Sequence, residues 1–165
     1  KFHLPKAAKR SGLTQALAGM KQLSAAICIF GTLLAGCGPL DVLETTYSDM
    51  TEVKSRGGIS SGWIPSWLPD SATELHEIHN IDTNESALSF KHRLGTAWRP
   101  PAQCGLIPAS EAKPSRYRQE WWPTERQLLS SYVFYRCPAD ASSKPVLVGV
   151  HNSGGVSVVW RVSAR

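Results

Sequence analysis

The spacing of apolar positions changes several times along the chain, and each spacing predicts a different element. Between 23 and 34 the residues are apolar or small without a charge, the mark of a buried or membrane-inserted segment. From 47 to 58 a possible helix is delimited by Ser48 as cap, acids in the first turn, bases in the last, and Gly57 and Gly58 beyond. The stretch Gly62-Trp63-Ile64-Pro65-Ser66-Trp67-Leu68-Pro69 suits neither a regular helix nor a central strand, because its prolines lack donors; it predicts an extended aromatic loop on the core. Residues 72–80 and 86–93 read as two short strands, with Asp82 and Asn84 forming the turn between them. From 95 to 123 no period persists, which predicts a long proline-rich loop pinned by Cys104 and by Trp121-Trp122. Tyr132-Val133-Phe134-Tyr135-Arg136-Cys137 is a β-type run. The runs 146–151 and 156–162 flank Asn152-Ser153-Gly154-Gly155, the strongest hairpin signal in the chain. The expected fold is α+β: a small antiparallel sheet of about five strands in meander order, one short N-terminal helix and a long proline-rich loop, all in one globular domain over 47–165.

Composition adds one domain's worth of chain, with 42% hydrophobic and 19% charged residues among 165. The formal charge of +5 suggests a polyanion partner until its distribution is considered. Lys1, Lys6, Lys9, Arg10 and Lys21 all precede Cys37, and every acidic residue follows it. From Cys37 onward 13 basic groups face 13 acidic ones, so no nucleic-acid partner is expected.

The basic segment belongs to a leader. After Met20 and Lys21 comes the apolar run of 12 residues, which as a helix rises about 18 Å, short of the roughly 30 Å needed to cross a bilayer. It ends in Leu34-Ala35-Gly36-Cys37, which resembles the bacterial lipobox at every position. The resemblance implies a signal peptide over 1–36, cleavage before Cys37, acylation of that cysteine and a lipidated tether over 37–46. The bilayer is then a partner through acylated Cys37, since two or three acyl chains anchor stably where one is marginal. Gly38 stands where an aspartate would mark inner-membrane retention, so the outer membrane facing the periplasm is the expected address. The rival is a buried helix ending in a Gly-Cys-Gly turn. Residues 1–19 carry no initiator methionine ahead of a leader complete from Met20, so translation is expected to begin at Met20; a long charged n-region is the alternative.

Export changes how the remaining cysteines are read. With Cys28 in the leader and Cys37 acylated, Cys104 and Cys137 are the pair left for an oxidising compartment, and a disulfide is expected. Chain-entropy arguments give a loop of roughly 30 residues about 3 to 4 kcal/mol. Two buried thiols or half a metal site are the alternatives, without the paired spacing of zinc sites.

Gly62-Trp63-Ile64-Pro65, Trp67-Leu68-Pro69, Ser71-Ala72-Thr73-Glu74-Leu75-His76-Glu77 and Asp82-Thr83-Asn84 together resemble a family of small bacterial lipoproteins described as YbbD head-domain-like. Trp121-Trp122-Pro123 and Tyr135-Arg136-Cys137 extend the resemblance across most of the mature chain. It implies an accessory or binding domain in the envelope and transfers no activity and no functional residue.

Candidate chemistry is thin. His76-Glu77-Ile78-His79 offers two imidazoles near Asp82 and Glu85, but positions three apart on a strand face opposite ways and the zincin spacing is four, so no metal site is expected. No nucleophile is expected among Ser60, Ser61, Ser130 and Ser131, because serines and histidines scattered along a chain can be arranged into a triad on paper without meaning, and an exported Cys104 or Cys137 would not stay a thiolate. Paired carboxylates stay open, because their separation is a property of the fold. Trp63, Trp67, Trp121 and Trp122 are the better hint, as a candidate binding surface for a glycan or an envelope protein against the simpler role of core packing. The expected role is a non-catalytic, cofactor-free envelope lipoprotein that binds or supports another component. The alternatives are a small hydrolase of cell-wall material and a periplasmic metal-binding protein.

Overall fold

Three strands and then four, each set in up-and-down order, meet side by side in one antiparallel sheet. The computed structural model describes residues 41–92, 98–138 and 144–162, all within one unit. The strands are β1 (Val42–Asp49), β2 (Thr73–Asn80), β3 (Glu85–Lys91), β4 (Gly105–Ile107), β5 (Tyr132–Cys137), β6 (Val146–His151) and β7 (Val156–Arg161). Their spatial order is β1-β2-β3-β7-β6-β5-β4. The chain therefore builds β1 to β3, crosses to the far edge, and returns through β4 to β7 until β7 pairs with β3 from Ser86↔Arg161 to Lys91↔Val156.

Several expectations need correction. The sheet has seven described strands rather than about five, and two meanders rather than one. Residues 42–46, expected to be tether, are the start of β1, paired with β2 from Val42↔Asn80 to Asp49↔Thr73. Pairing carries the chain through Ser48, so the helix begins later and is shorter: α1 spans Met50–Ser55. Its cap is Asp49, whose carboxylate accepts from the backbone N–H groups of Thr51 (2.8 Å) and Glu52 (3.0 Å), while Ser48 donates its own N–H to the Glu52 carboxylate. The long loop contains β4 and a 3₁₀ turn at Ala109–Glu111, and a second helix, α2 (Glu125–Ser131), follows it. Thr124 and Gln127 close α2 with a reciprocal capping box.

Both faces of the sheet are covered. One face carries Leu75, Leu88, Phe90, Val146, Val148 and Val159 under α1 and the 59–72 segment, with Met50, Val53, Ile64 and Leu68 pressed down from above. The opposite face carries Ile78, Ala87, Phe134, Leu147, Val158 and Trp160, covered by the segment that brings Tyr117, Trp121 and Trp122. Gly149 is required by this packing, since a Cβ there would lie 2.8 Å from Val158 Cγ2. Cys104 and Cys137 are bonded, with Cα atoms 4.0 Å apart, joining the residue before β4 to the end of β5. The leader, Met20 and Cys37 lie outside the described residues.

Candidate functional site

Alternation along β2 places Glu77 and His79 on the same face as Leu75, at the end where the apolar core gives way to polar groups. The register carries this face across the sheet: His79 sits opposite Ser86 on β3, and Ser86 opposite Arg161 on β7. All four side chains are buried. His79 Nδ1 lies 2.8 and 3.0 Å from the two Glu77 carboxylate oxygens. Arg161 donates to Ser86 Oγ (3.1 Å) and to the carbonyls of Trp63 (3.2 Å) and Gly62 (3.1 Å), so the guanidinium holds the aromatic loop down on the sheet. The loop can turn there because Gly62 takes φ 82°, a conformation that favours glycine.

Trp63 lies flat on His79, with centroids 3.9 Å apart and planes at 11°. The same indole lines a hollow of about 440 Å³ between the 59–66 segment and Asn84, with Arg161 at its base. Burial pushes the Glu77 carboxyl up to about 8, a rise opposed by Arg161 and assisted by Glu44. Burial lowers His79, since removing the ring from water disfavours its charged form. At neutral pH the Glu77–His79 contact accordingly joins a protonated carboxyl to a neutral imidazole.

The four tryptophans expected to form one surface are divided between the two faces. Trp63 and Trp67 cover the face that holds Glu77 and His79, and Trp67 stacks towards Trp98 at 6.3 Å. Trp121 and Trp122 pack on the other face. There Trp121 stacks with His76 at 5.6 Å and donates its indole N–H to Glu44 (2.8 Å), while Trp122 is buried edge-on against Trp160. Trp63 lines the hollow between the 59–66 segment and Asn84. His76 and His79 part to opposite faces, as their spacing requires, and no cluster of three or more metal-ligating side chains occurs among the described residues. Ser60 and Ser61 donate to the carbonyls of Gly57 and Gly58, and Ser130 lies against Ser131, 3.0 Å apart; none of these hydroxyls meets a histidine.

Sequence reasoning separated His76 from His79 but missed Arg161, Ser86 and the contact between Glu77 and His79. The two-residue spacing of Glu77 and His79 is the signal for a shared face. Arg161, 98 residues from the Trp63 carbonyl it binds, leaves no local trace. A second hollow of about 380 Å³ lies further along the same face, where Trp98, Tyr135 and Val150 form walls beside Arg99 and the β6–β7 turn.

No curated protein and no solved structure matches the chain. The resemblance to the YbbD head domain is found over the first meander alone, and the Trp121-Trp122-Pro123 and Tyr135-Arg136-Cys137 segments lie beyond it. Residues 41–91, which run from the start of β1 through α1 and the Trp63 loop to the end of β3, match the family model of the YbbD head domain.

Proposed function

We propose that the protein is a membrane-anchored envelope lipoprotein whose domain has a non-catalytic binding or accessory role. The observation that carries the address is Leu34-Ala35-Gly36-Cys37 at the end of a short uncharged apolar run. Acylated Cys37 holds the chain at the bilayer, on the outer membrane facing the periplasm. A bonded Cys104–Cys137 pair is in keeping with an oxidising compartment. The role is supported by the Trp63 hollow, a concave site with an aromatic wall and small polar groups around it.

The buried Glu77–His79 pair favours a second reading, a small hydrolase, because an acidic side chain hydrogen-bonded to an imidazole is one part of a nucleophilic triad once its carboxyl has ionised, above about pH 8. Ser86, directly across from His79, is engaged by Arg161 instead, which leaves the pair without a hydroxyl to activate among the described contacts. Binding is therefore the reading put forward.

Labelled palmitate fed to cells expressing the full chain should appear on the protein and follow it into the membrane fraction, and Cys37→Ala should lose both label and membrane association. Label retained by the alanine variant, or absent from the parent, defeats the anchoring. A peptide spanning Gly19 and Met20 in the unprocessed precursor would show that translation starts upstream of Met20.

A further inference from the structure

We propose that the hollow beneath the Trp63 loop binds a sugar ring, with the ring stacked on the indole and its hydroxyls met by the polar rim; this rests on the binding role proposed above and names its ligand class. A pyranose presents an apolar C–H face and a periphery of hydroxyls. The hollow presents the complementary arrangement: Trp63 as a flat wall, the hydroxyls of Ser60, Ser61 and Ser66, and the Asn84 amide. Ser60 and Ser61 each spend their proton on a backbone carbonyl 3.0 Å away, so each oxygen faces a ligand as an acceptor for a hydroxyl. Asn84 can both donate and accept. The volume, about 440 Å³, falls in the usual range for small-ligand sites, roughly 300 to 1,000 Å³.

Pre-organisation strengthens the case. Trp63 is fixed from behind by His79 at 3.9 Å, its carbonyl is held by Arg161, and the next residue, Ile64, is buried in the core. A ring held in this way loses little freedom when a ligand stacks on the side turned away from His79. Other ligand classes fit less well. Among the described residues the only charged group lining the hollow is Arg161, already engaged with Ser86 and two carbonyls, so neither a metal nor a polyanion finds its usual partners there. An extended peptide would need free main-chain groups, and the Gly62 and Trp63 carbonyls are occupied.

The test uses the full chain labelled with 5-fluorotryptophan, whose six fluorine resonances are assigned by single Trp→Phe variants. It is titrated with an N-acetylglucosamine trimer, a neutral glucose trimer, a galacturonate trimer and, as the competing class, trialanine. The Trp63 resonance should move saturably with at least one saccharide while those of Trp122 and Trp160 stay in place. Trp63→Ala should abolish saccharide binding, and Ser66→Ala, an exposed change that leaves the loop intact, should weaken it about three- to tenfold. A motionless Trp63 resonance at millimolar saccharide, a response to trialanine alone, or unchanged affinity in both variants overturns the proposal. Acyl labelling of Cys37 is read independently, so such a result removes the ligand and leaves the anchor standing.

Discussion

The first meander buries Glu77, His79, Asn80, Ser86, Ser89 and His92 on or beside its strands, whereas the second buries Val146, Leu147, Val148, Val158, Val159 and Trp160. The first half thus mixes several buried polar groups with its apolar core, whereas the second, closed by a disulfide, buries mainly hydrocarbon on its strands, with Ser157 and Arg161 of β7 as polar exceptions. Buried polar groups are stable only with partners, and here a decisive partner comes from the other half, since Arg161 reaches over from β7 to Ser86 and the Trp63 loop. The difference also bears on the family match. Residues 41–91 end at β3, whose outer edge is paired at six positions with β7. Without β7 that edge would be an open ladder flanked by Leu88 and Phe90, so the matched stretch depends on the second meander to close its sheet.

The strongest way to break the two-halves picture is at the seam. Phe90 is fully buried on β3 and packs in one cluster with Val146, Val148 and Val159. Phe90→Ala should remove about 3 to 5 kcal/mol of stability. Hydrogen exchange should show β2 and β6 losing protection together; loss confined to β1–β3 would mean that the halves unfold separately. Next comes the disulfide, which closes a separation of 33 residues wholly inside the second half. Replacing both Cys104 and Cys137 by Ala should lower stability by about 2 to 4 kcal/mol, read as a shift in the urea midpoint. An unchanged midpoint would show that β4 and β5 are held by packing alone.

The smallest effect at neutral pH, and the sharpest for the polar half, concerns Glu77. Its folded value near 8 lies above the ordinary 4.5, so the folded chain holds a proton that the unfolded chain releases, and stability is lost as pH rises through that window. His79 acts in the opposite sense: its lowered value makes stability full above 6.5 and lost as pH falls below it. Glu77→Gln cannot ionise. Urea midpoints at pH 6 and pH 9 should therefore fall for the parent and stay nearly level for the variant, and parallel behaviour would remove the assigned proton.

The two halves also differed in how far they could be read from sequence. Val, Tyr and Phe runs around Asn152-Ser153-Gly154-Gly155 marked β5, β6 and β7, because the residues that pack a platform are also strong strand formers. β2 and β3 were visible to within a residue or two at their ends. β1 was hidden by its position: an edge strand with Glu44, Thr46 and Ser48 exposed looks like a tether when it follows by five residues a cysteine whose flanking residues resemble a lipobox. β4 is three residues long and exists through its pairing with β5, which no local pattern can announce. α2 was missed although its signal was local, since Thr124-Glu125-Arg126-Gln127 is a readable capping box. At the candidate site Trp63 was legible as a motif, but its backing by His79 and its clamp by Arg161 are products of strand register.

Arg161 is the last residue of β7. An Arg161→Met allele would remove the clamp on Gly62 and Trp63 and the donor to Ser86 while leaving every strand encoded. Its product would carry the Trp63 loop untied and would lose stability at the buried polar end of the sheet as well, so in a genetic screen activity and abundance would fall together.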